Sequence, residues 1–188
     1  MPYPLSRSDE ALSRVVLCKA HDVFELWERL QGLVDDAAAL MCGETPECLP
    51  GRPSLVIIDS IGALLQPALG GRSAVQGTAM ALHVGKMLLH VADALGVAVV
   101  VTNHTVPQRT RARDGGGMGE DRGSDRPALG DMWRSQVHVR VELSPPEPAP
   151  GSDAGNRLAK ARVTQATVLE VGGEVTLLLS GAGVGHPA

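Results

Sequence analysis

Two apolar runs that each end in polar side chains, with one long amphipathic stretch between them, constrain this chain more than any other feature. The first is Leu55-Val56-Ile57-Ile58-Asp59-Ser60 and the second is Val99-Val100-Val101-Thr102-Asn103-His104. Consecutive aliphatic residues without alternation predict parallel strands covered on both faces, over Ser54–Asp59 and Val97–Thr102. Between them, Ala74–Leu95 repeats with helical period: Met80, Val84, Met87, Val91 and Leu95 form one stripe, while Gln76, His83, Lys86, His90 and Asp93 lie elsewhere. Gly96 is well placed as the C-cap of this helix. Strand, helix and strand at this spacing predict a right-handed parallel crossover. Such a unit brings Asp59 and Asn103-His104 to one carboxyl rim, where open α/β sheets bind ligands.

Around this unit the pattern is plainer. Arg14–Lys19 reads as a short strand, and Asp22 with Glu25 has the spacing of a capping box. The period of Val23, Leu26, Trp27, Leu30, Leu33, Val34 and Ala37 then predicts a helix to about Met41. Gly43–Pro53 reads as a loop, as does the stretch holding Pro67, Gly70 and Gly71. Val137–Leu143 alternates like a strand. Arg157–Gln165 and Thr167–Val171 are candidate strands, and Gly172-Gly173 predicts a hairpin joining Val171 to Glu174–Leu179. A length of 188 residues suits one domain. It has a flexible start over 1–13 and mobile loops over 105–127 and 144–156. Aromatic residues are only 2% of the chain, so its core must be aliphatic.

Charge and cysteines exclude some classes. A net charge of −4 argues against a surface that attracts nucleic acid everywhere, so basic residues matter by their placement. Cys18, Cys42 and Cys48 fit no zinc spacing, and their small odd number suits a reducing compartment. The first ten residues carry no secretory apolar region, and no apolar run is long enough to span a membrane.

A carboxylate at the carboxyl end of a parallel strand, as at Asp59, is where P-loop ATPases help to hold Mg²⁺ beside nucleotide phosphates. An Asp in this position also caps a following turn. Asn103 and His104, on the neighbouring strand end, either sense a γ-phosphate or simply terminate the strand. The stretch Asn103–Asp131 is long, aperiodic and rich in Gly and Arg. Its central part holds Arg109, Arg111, Arg113, Arg122 and Arg126 against Asp114, Glu120, Asp121 and Asp125. Arg109, Arg111 and Arg113 form its basic cluster, a pattern that follows phosphates along a single strand or stays a solvated loop. Asp59, Ser60 and His104 do not make a hydrolase triad, because Ser60 lacks the G-x-S-x-G elbow. His83 and His90 lack a third metal ligand and read as surface residues.

Taken with Pro127-Ala128-Leu129-Gly130, Trp133 and Arg140, these features resemble the RecA-like strand-exchange recombinases of eukaryotic DNA repair. The finer resemblance is to their paralogue branch, and within it to the D-type paralogues. It rests on His21-Asp22-Val23-Phe24, Asp59-Ser60 with Leu69-Gly70-Gly71, Val99–His104 and Pro127–Gly130 with Trp133, and covers roughly Glu10 to Val184. The resemblance implies a mostly parallel twisted α/β sheet flanked by helices, with antiparallel strands at the C-terminal edge. It makes Asp59 the Walker B acid near Mg²⁺ and puts Ser60, Asn103 and His104 beside ATP. His104 stands where the catalytic recombinases usually carry a Gln that couples nucleotide state to DNA. Ala68–Gly77 corresponds to a first DNA-facing loop, with Arg72, and Thr105–Arg126 to a second, with Arg109, Arg111 and Arg113. The implied partners are other recombinase paralogues in a hetero-oligomer and single-stranded or branched DNA, with no membrane. The implied setting is homologous-recombination repair in the nucleus.

Two departures stand beside the resemblance. No G-x-x-x-x-G-K-[ST] occurs in the sequence, and Gly181–Gly185 lacks the Lys and the following helix that would make it a phosphate loop. The N-terminal DNA- or partner-binding region of the family is also missing, so the chain is expected to be a truncated P-loop NTPase core. The missing phosphate-loop strand lies centrally in the family's sheet, so apolar flanks of the remaining strands are expected to be exposed. The family is a DNA-dependent ATPase that senses DNA damage, yet without the phosphate loop ATP and Mg²⁺ binding by this chain is expected to be weak or absent, and turnover by it alone is not expected. Three readings stay open: an active DNA-dependent ATPase, a non-catalytic module that binds a paralogue partner, and a fragment of another RecA-related ATPase.

Overall fold

The computed structural model describes residues 7–45, 51–69, 74–106, 126–149, 155–168 and 170–187. Two compact units divide the chain, Met1–Gln136 and Val137–Ala188.

The first unit is built on one parallel strand pair and the helices around it. Helix α1 spans Arg7–Leu12, within the stretch that the sequence reading leaves as a flexible start. Arg14–Lys19 is not a strand: no described strand pairs with it, and Val15, Val16 and Leu17 stay exposed. A β-branched run alone does not make a strand, because a strand needs a partner for its backbone groups. Helix α2, Val23–Met41, starts as its caps dictate. The Asp22 Oδ1 accepts from the N–H groups of Phe24 and Glu25, both at 2.8 Å. The Glu25 carboxylate reaches back to the His21 N–H at 2.7 Å, one residue before the usual box partner.

Strand β1, Leu55–Ile58, pairs in parallel with β2, Ala98–Val101, with Ile57 opposite Val100 and Ile58 opposite Val101. Between them lie two helices, where the sequence suggested a loop and one helix. Helix α3 spans Ile61–Leu69 and helix α4 spans Ala74–Leu95. Pro67 sits within α3. The apolar content of Ile61, Leu64 and Leu65 outweighs the Pro signal, since Ile61 and Leu65 are wholly buried. Gly96 takes a positive φ of 64°, as a helix-ending glycine should. The Arg52 guanidinium donates to the Leu95 carbonyl at 2.6 Å, satisfying one of the carbonyls that α4 leaves open.

The core joins Leu26 and Leu30 of α2, Ile61 and Leu65 of α3, and Val84, Met87, Val91 and Leu95 of α4 to Ile58. Val56, Val99 and Val101 pack against this cluster. The strands are therefore covered on one face, which corrects the expectation of two. On the other face Leu55, Ile57 and Val100 are 49%, 60% and 46% exposed. The described helices supply a cover for one side only.

After β2, the two-residue strands β3 (Thr105–Val106) and β4 (Arg126–Pro127) pair antiparallel. The segment expected to be a mobile loop over 105–127 thus has paired ends. The short helix α5, Gly130–Arg134, follows and buries Trp133, as Leu129 is buried just before it.

The second unit is an antiparallel sheet of five strands: β5 (Val139–Leu143), β6 (Glu147–Pro148), β7 (Arg157–Ala166), β8 (Glu174–Ser180) and β9 (Gly183–Gly185). Strand β7 is central and pairs with β5, β6 and β8. Strand β6 lies in the stretch 144–156 that was expected to be mobile. The hairpin partner of β8 is β7, with Arg162 opposite Glu174, and the described residues of the candidate strand Thr167–Val171 are not in a strand. Gly172-Gly173 therefore closes a longer connection, in which the Gly172 N–H donates to the Val163 carbonyl at 2.8 Å. Among the described residues, no helix is long and apolar enough to cross a membrane.

Candidate nucleotide-facing rim

The parallel register of β1 and β2 places the residues that follow them side by side. The Thr102 N–H donates to the Ile58 carbonyl at 3.0 Å, and the Ile61 N–H donates to the Thr102 carbonyl at 3.1 Å. Within this frame the Thr102 hydroxyl donates to Asp59 Oδ1 at 2.6 Å. A hydroxyl bonded to a carboxylate is a short, charge-assisted contact that fixes the carboxylate's orientation. Asp59 is nevertheless exposed, so its second oxygen stays open to solvent or a ligand. The Asp59–Ser60 peptide is cis.

The capping alternative for Asp59 goes instead to its neighbour. The Ser60 Oγ accepts from the Ala63 N–H at 3.3 Å, at the start of α3. Ser60 is thereby committed to the helix end, whereas Asp59 is committed to the strand rim.

Asn103 and His104 leave β2 at the same rim and converge on α3. Gly62 is buried there, and a Cβ built on it would lie 2.6 Å from Asn103 Oδ1 and 3.0 Å from His104 Nδ1. Asn103 Oδ1 is buried and has no hydrogen-bond partner among the described residues. The His104 ring is on the exposed side, while its carbonyl accepts from the Ala128 N–H at 3.0 Å. That bond, with the Thr105–Pro127 and Val106–Arg126 pairing, ties the rim to the neck of the arginine-bearing segment.

The structure thus brings Asp59, Ser60, Asn103 and His104 together on two adjacent strand ends. Arg72, Arg109, Arg111 and Arg113 lie outside the described residues. Of the segment expected to form a first DNA-facing loop, Ala68-Leu69 belongs to α3 and residues 74–77 belong to α4. Sequence reasoning missed Thr102, Gly62 and Ala128. Thr102 was legible as the last β-branched residue of its strand, and Gly62 as a glycine in an otherwise apolar helical turn. Nothing in the sequence marks the Ala128 amide.

No group of three His, Cys, Asp or Glu side chains that could hold a metal occurs among the described residues. The donor set here is one oriented, exposed carboxylate. That suits a water-mediated contact to Mg²⁺ and does not suit full coordination of an ion. The phosphate-cradling loop and its Lys are not in the sequence, so the residues fit one side of a nucleotide site.

The fold that carries this rim is of the RecA-like α/β class, as superposition on a solved structure shows. A solved structure described as the RadB recombinase superposes with a TM-score of 0.57 at 17% identity, covering 97% of this chain and 68% of that one. Residues 3–147 match the Rad51 family, and the chain belongs to it. It is 32% identical over 133 residues to DNA repair protein RAD51 homolog 4 of Bos taurus, covering 71% of this chain and 36% of that protein. To its counterpart in Mus musculus it is 33% identical over 139 residues, covering 74% and 37%. To DNA repair protein RAD51 of Saccharomyces cerevisiae it is 33% identical over 136 residues, covering 71% and 30%. The chain therefore spans about a third of the length of these relatives.

Proposed function

We propose that this chain supplies the Walker B side of a nucleotide-gated rim in a recombinase paralogue. The protein would act in the nucleus, in repair of DNA double-strand breaks by homologous recombination. The observation that carries the reading is the 2.6 Å bond from Thr102 to Asp59 at a rim shared with Asn103 and His104, in a chain of the Rad51 family. Asp59, oriented by Thr102, would hold Mg²⁺ through water, with Ser60, Asn103 and His104 toward the nucleotide. When bound, Mg²⁺–ATP would supply the negative charge whose presence or loss the rim reads. The tie from the His104 carbonyl to Ala128 gives the rim a mechanical route to the segment carrying Arg109, Arg111 and Arg113. Those residues and Arg72 would contact single-stranded or branched DNA, and other recombinase paralogues would be partners in a hetero-oligomer.

A second reading has its own support. The sequence contains no phosphate loop, so these residues by themselves would serve as a non-catalytic module that binds a paralogue partner. Fluorescent ATP binding with and without Mg²⁺, together with anisotropy of labelled oligo-dT, separates the two. The nucleotide reading expects weak, Mg²⁺-dependent binding that is weaker still in Thr102→Val and lost in Asp59→Asn. Nucleotide binding that ignores Mg²⁺ and both substitutions, or no binding at all, refutes it and leaves the module.

A further inference from the structure

A glycine inside an apolar helical turn is unfavourable relative to alanine, so a buried one is kept where a side chain does not fit. Gly62 is such a residue, between Ile61 and Ala63 in the first turn of α3. A Cβ on it would meet Asn103 Oδ1 at 2.6 Å, His104 Nδ1 at 3.0 Å and His104 Cε1 at 3.2 Å. The first distance is far inside any carbon–oxygen contact. The backbone cannot back away to relieve it. Ile61 N–H is bonded to the Thr102 carbonyl and Thr102 N–H to the Ile58 carbonyl, which fixes the residues immediately before Gly62 and Asn103.

The neighbours of Gly62 set it apart from the other tight glycines. A Cβ on Gly77 would strike the backbone of Ala68, a packing constraint between α3 and α4. A Cβ on Gly85 would meet only the flexible side chain of Gln136, at 2.9 Å. Gly62 alone among these three touches the two polar side chains at the strand end.

We propose that Gly62 is a positioning residue for the rim. Its bare Cα is the seat on which the Asn103 amide and the His104 ring rest, and any side chain there displaces both. The inference rests on reading the rim as a nucleotide sensor. The unpaired Asn103 Oδ1 gives the seat its meaning. A buried amide oxygen with no donor is held by packing and not by hydrogen bonding, so an incoming donor competes for it directly. Gly62 thereby leaves the room in which the Asn103 side chain holds this position.

The test compares Gly62→Ala with Gly85→Ala in the full chain labelled for NMR. The Asn103 side-chain amide and the His104 Cε1–H signals are followed, together with the effect of Mg²⁺–ATP on oligo-dT anisotropy. Gly62→Ala is expected to shift both signals and abolish the nucleotide effect on DNA binding. Gly85→Ala, which adds the same methyl to another buried helical glycine, is expected to leave both signals in place. Unmoved Asn103 and His104 signals in a folded Gly62→Ala chain overturn the proposal, as do equal shifts in Gly85→Ala. Should Gly62→Ala not fold, Gly62→Ala combined with Asn103→Gly is expected to restore folding, and its failure to do so also overturns the proposal. If the unaltered chain shows no nucleotide effect while Gly62→Ala alone moves the signals, the sensor reading fails and the seat stands. If the nucleotide effect survives Gly62→Ala with unmoved signals, the seat fails and the sensor reading stands.

Discussion

Ile57 and Ile58 are the same residue type, adjacent in β1, and the structure places them on opposite faces of the strand pair. Ile58 is 8% exposed within the core, whereas Ile57 is 60% exposed. Truncating each to Ala reads the orientation of the strand as a difference in stability. Ile58→Ala removes buried methyl groups and leaves a cavity, a loss of about 2–5 kcal/mol. Ile57 has only about two-fifths of its surface removed from water, so Ile57→Ala should lose under about 1 kcal/mol of transfer energy. Both substitutions also lose the preference of a β-branched side chain for a strand, and this shared term cancels in the comparison. The expected gap is therefore at least about 1 kcal/mol and up to about 5 kcal/mol, which urea unfolding resolves. Intrinsic fluorescence is a clean probe, because Trp27 and Trp133 both belong to the first unit and the second contains no Trp. Equal losses at the two positions would refute the one-sided core. If the loss at Ile57 rises toward that at Ile58 with protein concentration, a second copy of the chain is covering the open face.

Two further outcomes follow from the hydrogen-bonded elements. Asp22→Ala leaves the Phe24 and Glu25 N–H groups without their shared acceptor and should lower the stability of the first unit by about 1 kcal/mol, read from the same urea midpoint. An unchanged midpoint would show that α2 does not depend on its cap. In the second unit, the Arg162 guanidinium and then the Lys160 ammonium hold the Glu174 carboxyl below its ordinary value of 4.5. The folded carboxylate is thus the stronger acid, and its stabilising contribution is fully present above pH 4.5 and is lost as pH falls through the lower folded value. Glu174→Gln should remove that part of the acid sensitivity of the sheet, followed by far-UV circular dichroism. A variant as acid-sensitive as the unaltered chain would contradict it.

Much of the rim was legible because its signals are local. Four apolar residues before Asp59 and three valines before Thr102 specify strands, and the long stripe of α4 forces them parallel. The same locality explains the failures. Arg14–Lys19 has strand composition, yet a strand is defined by its partner, and none of the described strands pairs with it. Ile61–Leu69 was obscured by Pro67, whose helix-breaking signal is weak beside the burial of Ile61 and Leu65. Thr167–Val171 and Gly172-Gly173 carried a hairpin signal, but register is set along the whole of β7, where Arg162 meets Glu174. The arginine cluster was read from composition alone, and it lies outside the described residues.

What the sequence could not display is the set of non-local contacts that turns a strand end into a rim. Thr102 and Asp59 are 43 residues apart, and their bond exists only because β1 and β2 run in register. A shift of that register by one residue would turn Thr102 to the opposite face and leave Asp59 without its donor. The tie from His104 to Ala128 and the closeness of Gly62 to Asn103 depend on that same registration. The orientation of the acid, the seat of the amide and the neck of the arginine-bearing segment are consequently three readouts of one packing arrangement. A core substitution that loosens β2, far from any ligand, is then expected to disturb all three together, whereas a change confined to one side chain of the rim disturbs only its own contact.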